Sequence, residues 1–239
     1  MTVPAPLARA FHRATMYRLC SAALGYPVPG RLADVARLAA VAAPTAEASL
    51  RPLIVTLTEA ARTTQDAAAA SEYVRLFDGA ARCVPYEGAY GPPQMSGKSA
   101  LLADIAGFYT AFGLEVAQGQ PDVEDHIATE LEFLSALAIK EAWALAEDHH
   151  EHAEVSRDAA VAFLGDHLAR WAPAFADALG AASELGYYRA AAPLLRAWVE
   201  TDTGHLGVTV TPLAPTLLDA EVREPFTCPV AGSVPVRDA

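Results

Sequence analysis

The chain has 239 residues, 53% of them apolar, with a formal net charge of −12 and a pI near 4.9. That apolar content is enough for a core without disulfides or metal, and the acidic balance excludes a nucleic-acid binder, which needs a basic stripe. Three cysteines (Cys20, Cys83 and Cys228) are too few, and odd in number, for a secreted disulfide scaffold.

The first residues, M-T-V-P-A-P-L-A-R-A-F, lack the apolar core of a secretory signal, so the expectation is a cytoplasmic chain. No stretch approaches the roughly 18 uninterrupted apolar residues of a membrane span, so no stable membrane insertion is expected. A first helix is predicted over about 7–25, stopped by Gly25-Tyr26-Pro27, and a second over about 32–41. A third, Ala-rich, is predicted over about 46–70, with Pro52 near its first turn. Next comes S-E-Y-V-R-L-F-D-G, where Tyr73, Leu76 and Phe77 share a helical face and Gly79 suits the C′ position.

Residues 80–97 read as a long irregular loop holding Pro85, Pro92 and Pro93, with Tyr86 and Tyr90 as aromatic anchors. Gly97-Lys98-Ser99 is no phosphate loop, because Pro92 stands where the pattern needs its first glycine. A helix over about 99–112 ends at Gly113, with Leu114 as the apolar contact beyond it. After Pro121 another helix is predicted, with Asp122 as N-cap and Glu124 and Asp125 at the positive end of the dipole. Its stripe is Ile127, Leu131, Leu134, Ala138 and Leu145, and it lasts to about 147.

A polar junction, Asp148 to His152, follows. Then come a helix over about 154–179 with a kink or break at Pro173, and a last helix over about 184–200. Beyond Gly204 five prolines mark an extended arm, part docked and part loose. The expected architecture is all-α: one helical-bundle domain over 1–203 and an irregular arm over 204–239. Composition agrees, since Ala favours helix and β-branched residues are sparse.

Four clusters carry candidate chemistry. Asp125-His126 is either an oriented acid–base pair or a capped helix start; no nucleophile motif accompanies it. His149, His150 and His152 with Asp148 and Glu151 form either a metal site or a solvated junction, and one Glu-x-x-His (Glu147 to His150) falls short of the two that a di-iron bundle needs. Tyr86, Glu87 and Tyr90 form either an aromatic and acidic wall for a peptide or a loop anchored on the core. Cys83 and Cys228 each sit near a proline and are too scattered for a zinc or iron–sulfur set.

The motifs E-Y-x-R-L-F (Glu72–Phe77), P-Y-E-x-x-Y (Pro85–Tyr90), F-Y-x-x-x-G-L (Phe108–Leu114) and D-H-I-x-x-E-L-x-F (Asp125–Phe133) follow one another in order. Together they resemble the TorD/DmsD/NarJ chaperones, the maturation proteins of molybdenum enzymes. T-M-Y-R-L-C with G-Y-P near the start, and D-H-L-A-R-W at Asp166–Trp171, also fit. The C-V-P-Y-E segment and the C-P of the arm look most like the branch serving selenate, chlorate or ethylbenzene-oxidising enzymes.

The resemblance implies an all-helical protein without cofactor or catalytic residues. Its partner would be the apo catalytic subunit of a molybdopterin oxidoreductase, its twin-arginine signal peptide, or both. Carried over residue by residue, the partner-binding set is Tyr86, Glu87, Tyr90, Asp125, His126 and Glu130, to which Glu124 is added for its charge. Here Tyr86 and Tyr90 give apolar contact, Glu87, Glu124 and Asp125 give negative charge, and His126 donates a hydrogen bond. Glu124 stands where the family usually has proline before the Asp-His pair. The competing readings are a metal-dependent helical-bundle enzyme using His126 or the His149–His152 junction, and a regulatory adaptor.

Overall fold

A computed structural model describes residues 3–78, 83–91, 97–116 and 123–216. Among them the regular elements are helices, in the order α1 Ala5–Leu24, α2 Arg31–Ala42, α3 Arg51–Thr63, α4 Asp66–Phe77, α5 Gly97–Ala111, α6 Ile127–Ala146, α7 His150–Phe163, α8 Ala169–Ala182 and α9 Gly186–Leu206. A π-turn, Leu164–Leu168, joins α7 to α8 as one rod, so the expected all-α class holds.

The bundle is organised by α1 lying on α6, with α7 against α6 on one side and α8–α9 packed as a pair behind. The aromatic core is contributed from across the chain: Tyr17, Phe163, Trp171, Phe175, Tyr187, Tyr188 and Trp198 are fully buried. Gly113 ends the α5 segment at φ 69°, a conformation that favours glycine, and Leu114 N–H returns to the Tyr109 carbonyl at 2.9 Å. Leu114 then packs against the core, as its sequence position predicts.

Four boundaries differ from the sequence reading. The third predicted helix is two helices. One starts at Arg51, which keeps Pro52 in the first turn; a start at 46 would place the proline where its missing N–H breaks a bond. The chain then turns at Thr64, extended at φ −87° and ψ 139°, and α4 carries the E-Y-V-R-L-F motif. The helix predicted from 154 begins at His150, and its irregularity is the π-turn rather than a break at Pro173. That wide turn ends at Leu168, just ahead of the Ala169 carbonyl that the Pro173 ring would crowd in a regular helix.

Helix α6 starts at Ile127 with His126 as N-cap, so Asp122 does not cap it; Pro121 and Asp122 lie outside the described residues, as do Gly79 and Cys228. Helix α9 runs through Leu206, and the extended arm begins at Gly207. Two buried carboxylates tie distant helices together. Glu72 of α4 binds Arg75 at 2.6 Å and accepts hydrogen bonds from Ser183 Oγ and the Glu184 and Leu185 N–H groups at the α8–α9 turn. Hydrogen bonding to Arg75, ahead of opposing burial, lowers its carboxyl to about 2. Asp202 of α9 holds Arg13 and Tyr17 of α1.

Candidate functional site

Residues 83–91 have no helical partner, so their backbone groups must find others. They find the entrance of α6. Ile127 N–H donates to the Pro85 carbonyl and Glu87 N–H to the Asp125 carbonyl, both at 2.9 Å, which makes Tyr86 and His126 an antiparallel bridge. A short 3₁₀ turn, Glu87–Ala89, then brings Gly88 over Asp125, whose Oδ2 accepts its N–H at 3.2 Å. A Cβ at Gly88 would sit 3.1 Å from that same oxygen, so this approach suits glycine.

The two groups of residues singled out in the sequence, about 40 positions apart, thus meet. Their placement differs from a solvent-facing wall. Glu87, Tyr90, Asp125, His126 and Glu130 are buried, and only Tyr86 and Glu124 are half-buried. His126 caps α6 by accepting, not donating: its Nδ1 takes the Ala128 N–H at 3.2 Å. The proton of the neutral ring is therefore assigned to Nε2, 3.2 Å from the Tyr73 hydroxyl. Burial lowers the His126 imidazole to about 4, which keeps it neutral and able to accept. Burial also raises the Asp125 carboxyl, against the opposing Gly88 N–H.

Below the cap lies a chain of polar groups, buried except for Asp104 at its outer end. Trp171 Nε1 donates to Glu130 Oε2 at 3.2 Å; Glu87 Oε2 stands 3.1 Å from His167 Nδ1, and His167 Nε2 stands 3.5 Å from Asp104 Oδ2. Burial, then the neighbouring Glu87 charge, raises Glu130 well above the usual carboxyl range, despite the Trp171 hydrogen bond that lowers it. Burial and the facing Glu87 thus both favour the protonated form of Glu130.

Sequence reasoning missed Tyr73, Asp104, His167 and Trp171 as members of this network. The signal for two of them was present: D-H-L-A-R-W holds a second Asp-His pair and the tryptophan, and the π-turn carries His167 inward. The Glu130 state gives an expected result. Glu130→Gln, a neutral isostere, keeps stability within about 1 kcal/mol, whereas Glu130→Leu loses about 1–3 kcal/mol by stranding the Trp171 N–H and Glu87. A raised folded value means that the stabilisation is full below 4.5 and is lost as pH rises toward the folded value, so the advantage of Gln over Glu should grow from pH 5 to pH 8. Urea unfolding at both pH values measures this; a constant difference would place the proton elsewhere.

The other clusters separate. His149 and His152 lie in edge contact 5.5 Å apart at an exposed junction, and among the described residues no group of three or more His, Cys, Asp or Glu side chains is placed to hold a metal ion. Cys83 is buried beside the Phe175 carbonyl, and burial pushes its thiol up to about 12. No helix among the described residues is long and apolar enough to cross a membrane.

One cleft adjoins the cap. It holds about 590 Å³ between the end of α1, the segment after α5 and the first turns of α6. Its walls are Tyr26, Val28, Tyr109, Leu114, Val116, Ala128, Phe133 and Ala136, with Arg18, Arg31, Glu115, Thr129 and Glu132 as polar members. Arg18 pairs with Glu132 across the α1–α6 seam, and Ser135 Oγ reaches the Ala14 carbonyl one turn on. In that antiparallel register Phe11 falls opposite Ile139, and both are about half exposed, as is Trp143 one turn further. The apolar cleft thus continues as an apolar seam along the outside of α1 and α6.

Comparison with known proteins adds the family. The model of the nitrate reductase delta subunit family matches residues 41–177. The chain is 35% identical over 140 residues to a chlorate reductase assembly chaperone protein of Ideonella dechloratans, covering 57% of this chain and 69% of that one. It is 34% identical over 140 residues to a selenate reductase assembly chaperone protein of Thauera selenatis, with the same coverage, and 32% identical over 120 residues to a TorD chaperone of Vibrio cholerae, covering 50% and 52%. Among solved structures, a redox enzyme maturation protein from Archaeoglobus fulgidus superposes with a TM-score of 0.51 at 22% identity, over 78% of this chain and 93% of that one, which supports the fold.

Proposed function

We propose a function from one premise: the chain belongs to the nitrate reductase delta subunit family. It is a system-specific assembly chaperone that binds the apo catalytic subunit of a molybdopterin oxidoreductase and holds it, in the cytoplasm, until assembly is complete. Its work is polypeptide binding rather than catalysis. The names of its relatives support the chaperone role. The observation that carries the binding reading is the apolar cleft beside the α6 cap, continued by Phe11, Ile139 and Trp143.

A twin-arginine signal joins a basic segment to an apolar one. The apolar part fits the cleft walls, and the basic part suits the chain's overall surplus of acid, since at the cleft itself Arg18 and Arg31 balance Glu132 and Glu115. Of the residues expected from sequence, Tyr86 and Glu124 are the two that keep partial exposure. Glu87, Tyr90, Asp125, His126 and Glu130 serve it as positioning residues, fixing where α6 begins and hence where Ala128 and Thr129 face the cleft.

Ala136→Arg, which fills the cleft with bulk and positive charge, should weaken a twin-arginine peptide at least tenfold, about 1.4 kcal/mol, with little change in Tm. Titration calorimetry reads it. Equal affinity for wild type and variant would remove the cleft as the site; no binding by wild type would redirect the proposal from the signal to the mature catalytic subunit.

A further inference from the structure

Beyond Gly207, at φ 68°, the chain leaves α9 and residues 208–216 run extended across the π-turn and the 83–91 loop, forming a strap. Leu213 N–H donates to the Arg170 carbonyl at 2.7 Å. Gly91 N–H donates to the Ala214 carbonyl at 2.8 Å and Thr216 N–H to the Ala89 carbonyl at 2.9 Å. Tyr90 and Pro215 thereby form an antiparallel bridge, a two-residue piece of β-ladder in a helical protein. Two glycines admit the strap. A Cβ at Gly165 would lie 3.2 Å from Val208 Cγ1, and one at Gly91 would lie 3.3 Å from Leu213 Cδ2.

The strap's own residues are only half-buried or exposed, whereas Cys83, Glu87 and Tyr90 of the loop that it covers are buried. Tyr90 beneath it packs on Trp171 with ring centroids 5.1 Å apart, and Trp171 reaches Glu130. The strap is therefore the weakly held member, and the edge under it is the firm one. An edge of this kind, with a backbone donor and acceptor in register and two gaps cut to aliphatic side chains, has the chemistry of strand addition.

We propose that this edge is a docking track for an extended segment of the client polypeptide, and that the strap occupies it in cis until the client displaces it. This rests on the reading of the chain as a polypeptide-binding chaperone. The segment that fits carries aliphatic side chains five residues apart, as Val208 and Leu213 are, tolerates proline between them, and offers an N–H to Arg170 and Ala89 and a carbonyl to Gly91.

The test uses the full chain with Val208→Asp and Leu213→Asp, which loosens the strap and leaves the edge intact. The probe is a labelled peptide of the strap's own sequence, L-G-V-T-V-T-P-L-A-P-T. It should bind this variant at least tenfold tighter than wild type, and adding Gly165→Val, which fills one gap, should abolish the gain. Circular dichroism and Tm establish that each variant is folded. Equal binding to wild type and variant, or binding indifferent to Gly165→Val, overturns the proposal.

The second arm adds, diluted from urea, the catalytic subunit of a molybdopterin oxidoreductase identified by pull-down with the chain, which should displace the labelled peptide. A client that binds without displacing it overturns the track while leaving the chaperone function standing. A client that fails to bind at all, beside a peptide that does, removes the function and with it the role given to the edge. Dimers of the strap variant held together at the edge would assign it to a second copy and overturn the client assignment.

Discussion

Asp202→Ala is expected to destabilise the protein by about 3–5 kcal/mol, the cost of removing one partner from a buried ion pair. Asp202 is fully buried in α9. Its Oδ1 accepts from Arg13 Nε at 2.9 Å and its Oδ2 from the Tyr17 hydroxyl at 2.6 Å. Arg13 also reaches Glu141 of α6 at 2.6 Å, and Glu141 takes Arg157 of α7 at 2.8 Å. The network joins four helices, and removing the aspartate leaves the Arg13 guanidinium buried with half its partners gone. At roughly 2–4 °C per kcal/mol for a chain of this size, Tm should fall by about 6–20 °C.

A double replacement separates the pair from its desolvation. Arg13→Met with Asp202→Leu removes both charges, and should cost less than Asp202→Ala alone, because Arg13 no longer stays buried as an under-paired charge. Thermal unfolding by circular dichroism measures both. A loss below about 1 kcal/mol for Asp202→Ala, or a double variant as unstable as the single one, would show that the network does not hold α1 to α9.

The second large effect is on pH. His126 is buried, neutral and held near 4 against an ordinary 6.5. A depressed folded value means that its contribution is fully present above pH 6.5 and is lost as pH falls through that window toward 4. The shift corresponds to about 3 kcal/mol. Glu130 runs the other way, since its raised value favours the fold at low pH, so the raw profile of the wild type mixes the two. The clean quantity is the difference from His126→Asn, which keeps a capping side chain and has no proton to gain. Wild type should lose about 3 kcal/mol relative to that variant between pH 6.5 and 4. Parallel profiles would mean that the imidazole is not confined as a neutral acceptor. Because the ring sets the start of α6, affinity for a peptide in the cleft should weaken over the same window in wild type and stay level in the variant.

The functional reading and these predictions share one structural idea. The polar residues that first suggest chemistry are used to place a helix end and a loop, and the proposed binding surface is the apolar cleft beside them. Burial is what separates the two roles. A carboxyl or imidazole with no exposed surface cannot meet a bound chain in this conformation, but it can fix to within a hydrogen bond where Ala128, Thr129 and Phe133 stand. Tyr86 and Glu124 are the two members of the sequence-derived set that keep partial exposure, and so the two proposed to touch a client.

What the sequence determined by itself was what local patterns encode. The apolar stripe of Ile127, Leu131, Leu134 and Ala138 foretold the buried face of α6, and Gly113 with Leu114 foretold the end of α5. The ordered motifs from Glu72 to Phe133 foretold the family. Each of these signals spans a few turns of helix, where side-chain spacing and backbone geometry act directly. The tertiary structure alone decided the rest. It chose His126 over Asp122 as the cap, because the Pro85 carbonyl receives the Ile127 N–H there. It brought His167 and Trp171 to Glu87 and Glu130 across 80 and 41 positions of chain. It also turned charged residues inward, where loss of water, rather than residue type, sets which of them carries a proton. Spacing along the chain does not record which distant segment will exclude that water, so neither the network nor the cleft beside it was legible before the helices were packed, and of the strap only its extended, partly docked character was.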